Sequence, residues 1–301
     1  MVRLDVRAVH VIGASGRSGG ALCAALRAEG TQVVPVIRNP ARWPGPEAAR
    51  VADLEDSAAL RSALSGAEWV VSCAHARHAR AILEAAPESA RFVFLGSTRK
   101  FTRWPDVHAM GVIAGEAAFL ASGRAGVMLH PTMIYGAEGE DNVRRLAALL
   151  RLLPVVPLPD GGRALVQPIY QDDVTRAILA ALARSWDGPE SIVIAGPQAV
   201  TYADFSRAVG EASRGRGRLV VGVPAGVMMG LARIVRLIPG LPRVEQAELR
   251  RLMEDKAFDI GPMREKLGIE PISLADGLAR TFGRPQAGGE EKFHADPEPN
   301  R

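Results

Sequence analysis

A glycine-rich segment at residues 9–19 most constrains what this chain can fold into. An apolar run, Val-His-Val-Ile, ends at Gly13, glycines recur at Gly16 and Gly19, and a helical pattern begins at once. In this order, a strand leads into a tight turn and then into the first turn of a helix. That first turn presents backbone amides and the positive end of the helix dipole, which bind a nucleotide pyrophosphate. The segment therefore predicts a dinucleotide-binding turn, with glycines that serve only turn and packing as the alternative.

Strand and helix patterns alternate as far as residue 135, and they predict the fold class. The predicted strands are 8–13, 32–37, 51–54, 69–74, 91–96 and 126–130, and the predicted helices are 18–28, 56–64, 77–86 and 107–122. Short β-branched and aromatic runs separated by helices are typical of a parallel sheet covered on both faces. We therefore predict an α/β chain with a Rossmann-type, doubly wound parallel sheet and a smaller C-terminal α/β lobe.

The pattern of predicted strands and helices becomes less regular after Tyr135, and we divide the chain into three parts on that basis. The parts are a dinucleotide-binding core at 1–135, a smaller substrate or lid lobe at 136–283 that is interleaved with the core, and a tail at 284–301. The tail is polar and rich in Gly and Pro, which predicts disorder. For the lobe we predict loops at 154–162 and 213–218, strands at 164–169 and 191–195, and helices at 142–153, 172–183, 202–212, 225–238, 244–254 and 273–282.

Composition narrows the functional classes. The net charge of +4 is modest and spread along 301 residues, which argues against a dedicated nucleic-acid binder. Both cysteines, Cys23 and Cys73, lie in apolar runs, and we interpret them as reduced core residues of a cytoplasmic protein, with no metal site. A basic amphipathic stretch at 224–243 is a core or lid element, or else it contacts a membrane surface or a partner protein.

The end of the second strand bears on which dinucleotide binds. Sites that prefer NAD place an acidic residue there to bind the ribose hydroxyls. This chain instead has Arg38 at that position and Arg17 within the glycine turn. Guanidinium groups suit a 2′-phosphate, so we predict NADP(H), with NAD(H) as the alternative. The alternative that Arg38 is only a solvated charge in a loop stays open.

Further motifs carry a resemblance to a known superfamily. They are Gly96-Ser97-Thr98 after the fifth strand, Pro131–Gly136 after the sixth, residues 167–174, residues 255–259 and residues 266–269. With the glycine turn, they resemble the extended and atypical short-chain dehydrogenases/reductases over residues 8–282. The nearest likeness is to NAD-dependent epimerase/dehydratase-like proteins, including the branch with the nucleotide-binding accessory subunit of respiratory complex I.

The resemblance implies roles for particular residues. It implies a catalytic hydroxyl at Ser97 or Thr98. The implied cofactor contacts, together with the packing glycine, are Gly13, Ser15, Gly16, Arg17, Gly19, Arg38, Asp53, Leu54, Cys73, Ala74, Pro131, Thr132 and Met133.

One departure from the family concerns the helix at 107–122. Family members carry a Tyr there and a Lys four residues later, and the Lys lowers the pKa of the Tyr that exchanges a proton with substrate. No tyrosine of this chain precedes a lysine by four residues. Counting back from Glu116, the two positions hold His108 and Val112. His108 is a candidate proton donor or a surface histidine, and Lys100 either reaches the pocket or is solvated.

Three functions remain from the sequence. The first is an NADP(H)-binding reductase of a carbonyl or quinone-like small molecule, with Ser97 or Thr98 holding the acceptor oxygen and water or His108 supplying the proton. The second is a non-catalytic dinucleotide-binding accessory, assembly or sensor protein, which the missing Tyr/Lys pair favours. The third is a nucleotide-sugar epimerase or dehydratase, which the same absence weakens.

Overall fold

The computed structural model describes residues 6–136, 142–152, 155–214, 219–224, 226–227 and 250–283. In chain order the strands are β1 (Ala8–Ile12), β2 (Gln32–Ile37), β3 (Arg50–Val51), β4 (Trp69–Ser72), β5 (Arg91–Leu95), β6 (Gly126–Pro131), β7 (Ile134–Tyr135), β8 (Val155–Pro159), β9 (Leu165–Val166), β10 (Ile169–Tyr170), β11 (Pro189–Ile194), β12 (Val200–Thr201) and β13 (Leu219–Val223).

The helices flank these strands. They are α1 (Arg17–Ala28), α2 (Ser57–Ala63), α3 (Ala79–Ala85), α4 (Val107–Ala121), α5 (Asn142–Leu152), α6 (Gln171–Leu182), α7 (Tyr202–Arg214), α8 (Gly261–Leu267) and α9 (Leu274–Thr281). Asp56 and Asp106 accept backbone hydrogen bonds at the starts of α2 and α4, so an acidic N-cap fixes where each begins.

A seven-stranded parallel sheet forms the centre, in the order β11-β6-β5-β4-β1-β2-β3. The chain reverses its direction of winding between β1 and β4, and ligands of such sheets bind outside the carboxyl ends of the strands at that point. The predicted Rossmann-type fold class is therefore confirmed. Residues beyond 135 also join this sheet, since β11 pairs with β6 from Pro189 to Ile194.

The two faces of the sheet are buried in separate cores. On one face, α1 and α6 cover β1 side chains such as Val9 and Val11. On the other, α2, α3 and α4 cover Phe92 and Phe94, and Phe119 of α4 packs edge-on to both rings. Burial of both faces explains why the central strands are almost continuously apolar.

Outside the central sheet, the structure corrects two sequence predictions. The predicted loop at 154–162 contains β8, which pairs in parallel with β13. Prolines are tolerated in β8 because both strands of a two-stranded sheet are edge strands. The single strand predicted at 164–169 is two short strands, β9 and β10, which pair with different partners on either side of Pro168.

Several predicted segments lie outside the described residues. These are most of the helix at 225–238, the part of the helix at 244–254 that precedes residue 250, most of the stretch at 224–243, most of the loop at 213–218, and the tail at 284–301. Within the described ranges, no helix combines the length and the apolar character that a bilayer crossing requires.

Candidate cofactor and substrate site

The glycine turn after β1 has the geometry of a phosphate-binding loop. Gly13 has a φ of +76°, in the left-handed region that favours glycine, and its amide donates to the Val36 carbonyl at 3.0 Å. A Cβ on Gly19 would lie 2.2 Å from the Gly13 oxygen, so α1 rests directly on the turn. No residue with a side chain fits at position 19 without moving the helix.

The start of α1 is open to an anion. Gly16 is the N-cap residue, no side chain caps the helix, and its first turn contains no acidic residue. Ser15, Gly16 and Arg17 are exposed there. Backbone amides at such a helix start, with the positive end of the dipole, bind phosphate groups. This end of the site therefore fits the pyrophosphate of a dinucleotide.

Three of the cofactor contacts that the resemblance implies lie at or after the ends of the neighbouring strands. Arg38 is exposed directly after β2, which pairs in register with β1. Asp53 follows β3, and its carboxylate accepts the Glu55 amide at 3.1 Å, which closes the turn before α2. Leu54 is half-buried against the core on that face. All three lie beside the glycine turn at one edge of the sheet.

A cavity of about 1190 Å³ opens beyond the ends of β4, β5 and β6. The predicted site residues that line it are Cys73, Ala74, Ser97, Thr98, His108, Pro131, Thr132 and Met133. Ser18, in the first turn of α1, lines it too, and its hydroxyl donates to Gln171 Oε1 at 3.2 Å. The first turn of α1, which follows the glycine turn, therefore borders the cavity.

The two candidate hydroxyls have different hydrogen bonds. Ser97 Oγ accepts the Arg99 amide at 3.1 Å, and no acceptor for the Ser97 hydroxyl proton lies among the described residues. Thr98 Oγ1 donates its proton to the Pro131 carbonyl at 3.2 Å. Ser97 therefore retains a donor for a ligand, whereas the proton of Thr98 is already committed.

Helix α4 forms a wall of the cavity that carries no lysine. His108 is exposed and Val112 is buried, and both line the cavity. The ring of His108 lies 5.1 Å from that of His75, centroid to centroid. Burial, with His108 and Arg77 nearby, lowers the pKa of His75 below its ordinary value, which favours the neutral ring.

Behind this wall lies a polar cluster that the sequence analysis missed. Glu116 of α4 is ion-paired with Lys100, and it accepts from His130 Nε2 at 3.1 Å and from Ser191 Oγ at 2.5 Å. Burial opposes ionisation of Glu116, but the bonds from His130, Lys100 and Ser191 outweigh it and lower the pKa of Glu116 to about 2. Lys100 is thus neither in the pocket nor solvated, because its side chain is only 12% exposed in this pair.

The far side of the cavity is closed by residues 250–258. Glu254 accepts from Thr102 Oγ1 at 2.7 Å and from the Arg103 amide at 2.7 Å. Phe258 donates its amide to Gln167 Oε1 at 2.7 Å. The cationic side chains that line the cavity are Arg99, Arg103, Arg145, Arg250, Arg251 and Lys256, and the carboxylates are Glu254 and Asp255. This side of the cavity therefore favours oxygen-rich or anionic ligands.

Neither cysteine is set up for thiolate or metal chemistry. Both thiols are free, with Cys23 in the core and Cys73 on the cavity wall. Burial raises the pKa of each thiol to about 12, which keeps it protonated. In the described part of the chain, no three His, Cys, Asp or Glu side chains come together as a metal site.

Comparison with known proteins agrees with this geometry. Residues 13–114 match a family model described as NAD(P)H-binding. An uncharacterized protein of Mycobacterium tuberculosis is 28% identical over 286 residues, which cover 91% of this chain and 29% of that protein. The chain thus spans less than a third of the length of the curated relatives it matches.

Solved structures share the fold at low sequence identity. The NADPH-dependent quinone oxidoreductase QOR2 of Escherichia coli, complexed with NADPH, is 20% identical, with a TM-score of 0.70 over 91% of this chain and 99% of that one. A UDP-glucose 4-epimerase of Thermotoga maritima, with UDP-glucose, is 18% identical, with a TM-score of 0.71 over 92% and 97%.

Residues 13–114 therefore match an NAD(P)H-binding family, and the chain shares the fold of these oxidoreductase and epimerase structures. This confirms the dinucleotide-binding fold that the glycine turn and the strand and helix pattern predicted.

Proposed function

We propose that the protein is an NADP(H)-dependent reductase of a carbonyl or quinone-like small molecule. The observation that carries the proposal is the uncommitted hydroxyl proton of Ser97, in a cavity that is also lined by Ser18 of the first turn of α1. When bound, the dinucleotide supplies the hydride. Ser97 donates a hydrogen bond to the acceptor oxygen, and His108 or a water beside it supplies the proton.

The choice of NADP(H) over NAD(H) rests on Arg38. A guanidinium exposed at the end of β2 suits a 2′-phosphate, and an acid at that point would repel it. We expect Arg38→Glu to weaken NADPH binding about 10- to 100-fold and to leave NADH binding nearly unchanged, measured by nucleotide fluorescence. Arg280→Glu, an exposed change of the same charge on α9, is the control. Equal losses for both nucleotides would remove the assignment.

The reaction itself is tested at Ser97. We expect Ser97→Ala to lower kcat about 100-fold and Thr98→Val to lower it far less, because only Ser97 has a free donor. The substrate panel includes quinones, neutral aldehydes and carboxylated aldehydes, since cations line the cavity. A wild-type protein that binds NADPH but oxidises it with none of these compounds would overturn the proposal.

A second candidate is a dinucleotide-binding accessory or sensor protein without turnover. Val112 supports it, because an apolar residue stands where the resemblance places the activating lysine. Mass spectrometry of the natively purified protein separates the two: an accessory role predicts a co-purified dinucleotide, a protein partner and no nucleotide oxidation. We place partner or membrane contact at 224–243, mostly outside the described residues.

A further inference from the structure

The buried cluster of Lys100, Glu116 and His130 does not line the cavity, yet it contacts the loop that carries Ser97. The His130 side chain is fully buried, and those of Lys100 and Glu116 are only 12% and 14% exposed. Burying three ionisable groups is costly unless each is bonded. The bonds of these three side chains therefore matter to the structure around them.

The hydrogen bonds determine which nitrogen of His130 carries the proton. The Ser97 amide donates to His130 Nδ1 at 3.1 Å, so Nδ1 is an acceptor. Nε2 then carries the proton and donates to Glu116 Oε1 at 3.1 Å. Lys100 Nζ lies 3.4 Å from Nε2, but an ammonium has no lone pair and cannot accept a hydrogen bond from Nε2. Nζ and Nε2 are therefore both donors to the same oxygen, Glu116 Oε1.

The ring also packs directly against the backbone that precedes Ser97. A Cβ on Gly96 would lie 2.3 Å from His130 Nδ1, so the imidazole occupies the space that a side chain would fill. The Gly96 amide donates to the Leu129 carbonyl at 2.7 Å, which ties the same backbone to β6. His130 therefore limits the movement of the Ser97 backbone by contact as well as by its bond.

We propose that His130, oriented by Glu116 and Lys100, is a positioning residue that holds Ser97 in place to donate its hydrogen bond to the substrate oxygen. The proposal rests on the function proposed above for Ser97. Such placement matters because a displacement of about 1 Å can cost about 100-fold in rate.

Three substitutions of His130 separate positioning from simple packing. In His130→Asn, the amide oxygen is bonded to Cγ, as Nδ1 is in histidine, so it can still accept from the Ser97 amide. In His130→Gln, the amide reaches toward Glu116 but no acceptor stands at the place of Nδ1. His130→Leu has neither the acceptor for the Ser97 amide nor a donor to Glu116. We expect His130→Asn to keep kcat within about fivefold of wild type. His130→Gln and His130→Leu should lose about 100-fold in kcat while the Kd for NADPH stays within twofold.

Two readouts do not depend on turnover. Side-chain ¹⁵N NMR of histidine-labelled protein should show Nδ1 of His130 unprotonated and Nε2 protonated. Hydrogen exchange of the Ser97 amide should be slow in wild type and His130→Asn, and faster in the Gln and Leu variants. A protonated Nδ1, or equal exchange in all variants, overturns the proposal even if turnover is normal. The proposal is also overturned if the loss of kcat among the variants correlates with their loss of Tm and not with the presence of an acceptor for the Ser97 amide.

These outcomes differ from failure of the proposed function. If wild type reduces no member of the panel, the positioning role falls with the reductase assignment, whatever the NMR and exchange results show. If wild type does reduce one, the NMR of wild type and the comparison of the three variants decide whether His130 positions Ser97.

Discussion

His10 lies in the middle of β1, and neither of its ring nitrogens has a hydrogen-bond partner in the described structure. The residue is only 3% exposed, and burial, helped by the charge of Arg50, lowers the pKa of His10 to about 4. In the unfolded chain the pKa is about 6.5, so the unfolded state takes up a proton first as pH falls. Stability from His10 is therefore complete above pH 6.5 and is lost between pH 6.5 and 4.

We expect the free energy of unfolding to drop by about 2 kcal/mol between pH 7 and pH 5 on account of His10. His10→Leu should remove that part of the drop and raise stability at pH 7, because an unbonded buried polar group is replaced by an apolar one. Urea denaturation at the two pH values measures both effects. His108→Leu, an exposed histidine, should keep the drop. An unchanged pH dependence in His10→Leu would show that the acid sensitivity lies elsewhere.

At the scale of single elements, α1 offers a matched pair of glycines. A Cβ on Gly19 would lie 2.2 Å from the Gly13 oxygen, whereas one on Gly20 would meet only Ala14 O at 3.6 Å. We expect Gly19→Ala to push α1 off the turn, lowering both Tm and NADPH affinity, the latter about tenfold or more. Gly20→Ala should stabilise the helix by up to about 1 kcal/mol and leave binding intact.

Thermal unfolding and NADPH titration of the two variants decide this prediction. Because the substitutions are the same and adjacent, a difference between them isolates the contact with the turn from helix propensity. Equal behaviour of the two proteins would mean that α1 can shift without cost to the site.

The sequence predicted elements well where local pattern and tertiary context agree. Helix α1 was predicted at 18–28 and runs from Arg17 to Ala28, because a glycine turn and an apolar face mark it locally. Strand β8 was missed since its partner, β13, lies some sixty residues further along and its prolines are typical of a loop. Pairing over such distances leaves no local signal.

The same limit applies to the candidate site. Glycine spacing predicted the turn, and the resemblance implied roles for Ser97 and Met133, which both line the cavity. The cluster of Lys100, Glu116 and His130 was missed, because it joins a turn, a helix and a strand by side chains 14 to 30 residues apart. No repeating sequence pattern marks a buried pair of a lysine in a turn and a glutamate in a helix, so such a pair is seen only once the chain is folded.

Across the whole molecule, residues 250–258 connect the central sheet with the second half of the chain. Glu254 bonds the backbone and the hydroxyl after β5, while the Lys256 amide donates to the Leu165 carbonyl of β9 at 2.8 Å. Arg251 adds an ion pair to Asp106 at the start of α4 at 3.1 Å. The closed side of the cavity therefore depends on bonds between distant parts of the chain.

Glu254→Ala should loosen this closure without unfolding the sheet. Hydrogen bonds to a carboxylate contribute about 1.5 to 3 kcal/mol, so local opening should rise roughly 10- to 100-fold. Limited trypsin digestion, mapped by mass spectrometry, should then cut faster after Arg250 and Arg251. Glu265→Ala, on the exposed side of α8, should digest like wild type. The same cleavage rates in the Glu254 variant and wild type would show that other contacts hold the segment, and that Glu254 contributes little to keeping the cavity closed.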